Sequence, residues 1–308
     1  MKNKILLILI SIMALACGGN QKKESSSEGQ NIEGFWNRIG TIQLVNGVAV
    51  DTAYIKDSEN PKFKQVKVFK DGNMIWINNQ KDSLLPWKGG MGGYGKYVVN
   101  SKDSITEDIS HGTGWWGAAV KNYKDSLNVP AWRFGLKTDF HANVYSQKNN
   151  PDSEFAEYWE RMPSLEPESK FDGAWKRVYE ISYINGVAID TTSVPNDALL
   201  DVKLFSNGHY TYQVDLTGFA NRDENPGMYG GFGGYGTFVF DEEKSILTEY
   251  GEWGSGMTAN ENEPKTNPDN HQITFYNDDL YLQISKTSVG TLQNSGADAR
   301  GLVYKRIK

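Results

Sequence analysis

The chain carries one text twice, and that repetition restricts its fold more than any other feature. Gly34-Phe35-Trp36-Asn37-Arg38 is answered by Gly173-Ala174-Trp175-Lys176-Arg177, and NGVAVDT (46–52) by NGVAIDT (185–191). VKVFKDG (66–72) is answered by VKLFSNG (202–208), GGYGKYVV (92–99) by GGYGTFVF (233–240), and ITE (105–107) by LTE (247–249). Five blocks in one order, spaced by about 140 residues, mark a duplicated unit of domain size rather than a solenoid repeat.

Each unit reads as β. The 16 Tyr, 13 Phe, 9 Trp and 32 Gly fall in short alternating runs, and helical signals are poor. Asn46-Gly47, Asp71-Gly72, Asn185-Gly186 and Asn207-Gly208 are two-residue hairpin signals, so consecutive strands form an antiparallel meander. The spacing predicts strands over 95–99, 104–109, 132–137 and 140–146 in the first copy, with long loops over 112–130 and 254–271. A meander of eight or more strands removes its edges by closing into a barrel. Tyr210, Tyr212 and Val214 then share one face, with Met74 and Trp76 in the same phase. Leu280, Leu282 and Ile284 alternate with Tyr281, Gln283 and Ser285 and read as another apolar face. The glycines of the duplicated GGYG blocks suit a bend or a close backbone approach.

The N-terminus reads as a targeting segment. Lys2 and Lys4 precede a short apolar run, Ile5 to Ala16, too short to span a bilayer comfortably, and Ala14-Leu15-Ala16-Cys17-Gly18 follows the pattern of a lipoprotein cleavage site. Residues 1–16 are then a signal peptide, and Cys17 is the lipidated first residue and the membrane anchor. Residues 17–31 are a polar tether, 32–163 the first barrel, 164–170 a Pro/Glu-rich linker and 171–308 the second barrel. Cys17 is the single cysteine, so each exported domain relies on its core rather than on disulfides. The formal charge of −6, more negative still once Lys2 and Lys4 are removed, argues against nucleic acid as a partner.

With these residues in place, the pattern resembles the lipocalin-like (calycin) domains of bacterial exported lipoproteins, in two tandem copies. The resemblance rests on Gly-x-Trp on the first strand (Gly34 to Trp36, Gly173 to Trp175) and an arginine on the last (Arg161, Arg306). It implies two up-and-down all-β barrels, each closed by guanidinium stacked on indole: Arg161 over Trp36, Arg306 over Trp175. It also implies an acylated protein of the cell envelope, at the outer membrane.

Met74, Trp76 and Tyr97, with Tyr210, Tyr212 and Phe238, are inward-facing candidates that either fill a core or line a pocket for a small apolar or amphiphilic ligand. Tyr94 and Tyr235, in the duplicated GGYG, are candidates for a barrel mouth or for a packed turn. Trp115, Trp116 and Tyr123 in one long loop, and Trp253 in its counterpart, could meet an envelope protein or glycan or simply cover a barrel end. His111, His141, His209 and His271 are unmatched between copies and lack metal spacing, so no metal or cofactor is assigned. No nucleophile elbow, cysteine nucleophile or phosphate loop is legible. The duplicated Glu107/Glu249 and Asp51/Asp190 read as parts of the shared fold. The chain therefore reads as non-enzymatic.

Overall fold

The computed structural model describes residues 31–46, 48–54, 64–79, 90–141, 143–148, 154–194, 200–215, 231–256, 268–286 and 297–308. Cys17, the leader and nearly all of the tether lie outside the described residues, as does most of the 254–271 loop. Residues Ile32–Lys308 form one compact unit.

The first repeat holds β1 (Gly34–Val45), β2 (Val48–Tyr54), β3 (Gln65–Lys70), β4 (Asn73–Asn78), β5 (Met91–Ser101), β6 (Ser104–Thr113), α1 (Trp115–Leu127), β7 (Trp132–His141), β8 (Val144–Lys148) and β9 (Phe155–Arg161). The second holds β10 (Gly173–Ile184), β11 (Val187–Ser193), β12 (Leu200–Ser206), β13 (His209–Asp215), β14 (Phe232–Asp241), β15 (Ile246–Gly256), β16 (Asp269–Asn277), β17 (Leu280–Lys286) and β18 (Ala299–Ile307). Neighbouring strands are antiparallel. In the first repeat β1 also pairs with β9, so β1 and β3 to β9 close an eight-stranded antiparallel barrel, with β2 outside it on β1. The second sheet has nine strands in the corresponding order, and β10 pairs with β18.

The turn dipeptides act as their chemistry demands. Asp71, Asn185 and Asn207 have φ of 51°, 51° and 50°, and the glycine after each is also positive, as a two-residue hairpin on right-twisted strands requires. In the glycine blocks the register of β5 on β6 shifts between Tyr94 and Gly95 and that of β14 on β15 between Tyr235 and Gly236, where the neighbouring backbone leaves no room for a Cβ on Gly95 or Gly236. A Cβ at Gly93 would strike the Trp76 indole, and one at Gly234 would meet the Tyr212 ring at 2.6 Å. Glycine there lets a large aromatic ring lie flat across the neighbouring strand.

Two details differ from the sequence reading. The 112–130 segment contains α1, not a loop alone. The helix starts at Gly114 with no side-chain cap and ends at Asn128 in the left-handed conformation. β7 runs to His141 and the next strand begins at Val144, so Phe140 belongs to β7 and not to the strand that follows.

The packing between the repeats follows from β3 and β12. Val66 and Val68 of β3 point away from the barrel interior and form one buried cluster with Val202 and Leu204, their counterparts on β12, together with Phe35, Ala174, Tyr94 and Tyr235. Equivalent positions meet across this seam much as in an isologous dimer. Met162 and Ile307, also equivalent, pack at its margin. The linker is tied down: Leu165 N–H donates to Asn207 O at 3.0 Å.

Candidate functional site

The alternation that sends Val66 and Val68 to the seam turns Lys67 into the first barrel, where it is only 3% exposed. Lys67 Nζ donates to Glu107 Oε1 at 2.8 Å and Gln147 Oε1 at 2.9 Å. Gln147 Nε2 donates to Glu157 Oε2 at 2.8 Å. Arg38 Nη1 donates to Gln65 Oε1 at 2.7 Å and lies 3.3 Å from Glu157 Oε1. Two cations and two carboxylates thus compensate one another on the inner wall, as buried charges must.

This network is one side of a cavity of about 270 Å³. Trp76, Trp116, Met91 and Phe134 form the apolar side. Trp116 comes from α1. Its ring stacks on Trp132 at 5.0 Å and meets Trp76 edge-on at 6.0 Å, while Tyr123 stacks on the far face of Trp132 at 4.5 Å. The helix is anchored on β6, where Lys124 Nζ donates to Ser110 O at 2.7 Å. One wall of the cavity is therefore made by an element that has no counterpart among the described residues of the second repeat.

The second repeat keeps the same frame with different surroundings. Lys203 Nζ donates to Glu249 Oε1 at 2.6 Å and Gln283 Oε1 at 3.3 Å. His271 occupies the register position of Leu136, with Nε2 3.4 Å from Glu249 Oε2 and Nδ1 2.7 Å from Ser285 Oγ. Arg177 Nε lies 3.2 Å from Asp201 Oδ2. Burial pushes the Glu249 carboxyl up, but Lys203 and His271 beside it more than reverse this and hold it at about 2. Burial dominates at Asp201 and raises its carboxyl despite Arg177 and Lys203. Phe171 fills the end of this core, with Phe240, Phe275 and Tyr281 at 4.8, 5.1 and 5.2 Å.

The residues singled out in the sequence separate into three groups. Arg161 lies over the Trp36 ring at 4.2 Å and Arg306 over Trp175 at 4.2 Å. Arg306 also donates to Asp172 O at 2.6 Å and Lys170 O at 2.9 Å. Met74, Trp76 and Tyr97 belong to the first interior, and Tyr210, Tyr212 and Phe238 to the second. Of these six, only Trp76 lines the 270 Å³ cavity. Tyr94, Tyr235 and Trp253 are in the seam, away from that cavity. Tyr94 O–H donates to Asn73 Oδ1 at 3.0 Å. His209 Nε2–H donates to Pro163 O at 2.8 Å, which leaves Nδ1 to accept from Tyr235 O–H at 2.8 Å. Among the described residues no group of three His, Cys, Asp or Glu side chains is arranged to hold a metal ion.

Sequence reading missed the inward Lys–Glu–Gln set. Its signal was present: Lys67/Lys203, Glu107/Glu249 and Gln147/Gln283 are each duplicated, in blocks where a hydrophobic residue would serve a core better.

No family model matches the chain, and no curated protein matches it. Among solved structures, the chain is similar to an uncharacterised protein of Saccharomyces cerevisiae at 10% identity and a TM-score of 0.41, over 90% of this chain and 98% of that one.

Proposed function

We propose that the chain is a non-enzymatic cell-envelope lipoprotein, held at the outer membrane through Cys17, with two tandem lipocalin-like up-and-down barrels. The first barrel holds one small amphiphilic ligand. The observation that carries this reading is the 270 Å³ cavity, polar on one side and aromatic on the other. Ligand pockets for drug-sized molecules run about 300–1,000 Å³ and combine apolar walls with a few fixed polar groups. A volume just below that range suits a compound of one or two rings. Arg38 and Lys67 balance Glu107 and Glu157, so the polar end of the ligand is uncharged; a carboxylate would add an unmatched charge.

The test is native mass spectrometry of protein purified from its own membranes. A bound small molecule is expected in the wild type and lost in Leu136→Trp, which fills the cavity. Reproducibly bare wild-type protein would count against ligand binding.

A second reading, an interaction module, is favoured by the exposed hairpin residues Val45, Val48 and Val50 and their relatives Val187 and Ile189. Val45 ends β1, beyond its pairing with β9, and the others lie on β2 and β11, outside the β1–β9 and β10–β18 pairings.

A further inference from the structure

A second cavity, of about 670 Å³, opens at the seam and takes its walls from both repeats. Its lining includes Lys96 and His111 from the first repeat and Lys176, Lys305, Arg306 and Lys308 from the second, and none of the described residues lining it is acidic. This is a local excess of cations on a chain whose formal charge is −6.

The register makes the excess deliberate. Lys176 stands directly opposite Lys305 across β10 and β18. Like charges in that position destabilise a sheet. The corresponding pair in the first repeat is Asn37 opposite Glu160, which carries no such cost. Lys96 is held at the cleft edge, its Nζ donating to Asn73 Oδ1 at 2.8 Å and Lys308 O at 3.0 Å. Its counterpart in the second repeat is Thr237, and that of His111 is Trp253. The seam pairs equivalent positions, yet Lys96, His111, Lys176 and Lys305 are each replaced at the equivalent position by a residue without positive charge. The basic cleft is therefore built once per chain, by divergence of the copies.

The field of the cleft is already felt inside it. Burial, then Lys124 and Lys176, depress His111 to about 4, so the ring is neutral at pH 7. Its Nδ1 is 2.9 Å from Ser110 Oγ. Asp71 acts through its field on Lys96, and Asp279 lies 3.7 Å from Arg306.

We propose that this cleft binds a phosphate-bearing anion, with Lys96, Lys176 and Lys305 supplying the charge. An anion there would relieve the opposed lysines, and phosphate oxygens accept the charge-assisted hydrogen bonds that ammonium groups donate. The source of the phosphate is a free phosphate compound or a lipid headgroup.

The experiment uses the full chain with Cys17→Ala, so that no acyl chain itself anchors it. Pyrophosphate is titrated calorimetrically at low and high salt. Vesicles of phosphatidylcholine, with or without phosphatidic acid, are tested by flotation. The comparison protein adds Lys176→Asn and Lys305→Glu, which restore the first repeat's pair. Pyrophosphate binding that weakens with salt and falls about tenfold or more in that protein supports a free phosphate ligand. Flotation with phosphatidic acid vesicles that needs Lys176 and Lys305, without pyrophosphate binding, supports a headgroup. Thermal melting of the ligand-free comparison protein should be unchanged or raised, since a repulsion is removed, which separates lost binding from lost fold. Binding of neither probe, or binding indifferent to the two lysines, overturns the proposal.

Discussion

The two repeats keep one inner frame and surround it differently. In both, a lysine on the third strand reaches a glutamate and a glutamine across the interior: Lys67 with Glu107 and Gln147, Lys203 with Glu249 and Gln283. In the first repeat this frame faces a cavity walled by α1. In the second, aromatic rings fill one end: Phe171 stands where the first repeat has Ile32, and Phe240 where it has Val99. Polar partners multiply as well, with His271 for Leu136 and Asp201 for Gln65. One frame thus sits beside a cavity in the first repeat and among different side chains in the second, so the lysine–glutamate pair belongs to the fold the repeats share.

The largest effect that can break this comparison comes from removing the lysine. Lys203→Met leaves Glu249 buried without its main cation, and losing one partner of a buried pair costs about 3–5 kcal/mol. Lys67→Met should cost less, because the adjoining cavity lets water reach Glu107. Urea denaturation of both variants checks this. Equal losses would mean that the two glutamates are equally dry and that the cavity does not distinguish the repeats.

Acid gives the next effect. The Glu249 carboxyl is depressed from 4.5 to about 2 in the folded chain. A depressed carboxylate contributes stability that is fully present above its unfolded value and is lost as pH falls through the folded one. The loss therefore runs from about pH 4.5 to 2 and is on the order of 3 kcal/mol. His111, depressed from 6.5 to about 4, adds an earlier loss. The unfolded histidine takes up a proton that the folded one resists, so stability declines as pH falls from about 6.5 to 4. Urea midpoints across pH 7 to 3 should show both windows, the upper one flattened in His111→Gln and the lower in Glu249→Gln. A profile unchanged by Glu249→Gln would remove the carboxylate from this account.

Much of the strand order was legible because its punctuation is local: Asn-Gly and Asp-Gly fix hairpins without reference to the rest of the molecule. The facing of strands was less so. On β3, Val66 and Val68 face the seam and Lys67 the interior, because the seam between repeats needs an apolar face as much as the interior does. On β17 the structure inverts the expected apolar face of Leu280, Leu282 and Ile284: Tyr281 packs on Trp175 at 4.7 Å and Gln283 receives Lys203, while Leu282 lies on the other face, opposite Val303. Alternation reports that a strand has two unlike faces and not which of them is inside. The helix α1 escaped because Gly114 offers no capping side chain. Its legible signals were Ala118-Ala119-Val120, the Lys121–Asp125 pair one turn apart, and Asn128 as a left-handed stop.

The smallest effect bears on what the repeats share rather than on where they differ. NGVAVDT and NGVAIDT match almost letter for letter, yet Val48 is 65% exposed and Val187 64% exposed. Burial cannot account for apolar residues held at equal exposure on β2 and β11, and the turn itself needs only Asn-Gly. If these valines serve a contact outside the chain, Val48→Thr and Val187→Thr should each change stability by less than about 0.5 kcal/mol, the range for surface substitutions, because threonine keeps the β-branched shape. Chemical denaturation of the two single variants is the check. A loss above about 1 kcal/mol in both would return the block to the fold, as a strand that stiffens β1 and β10. A loss in one alone would show that the hairpins, like the interiors, have diverged beneath an almost identical text.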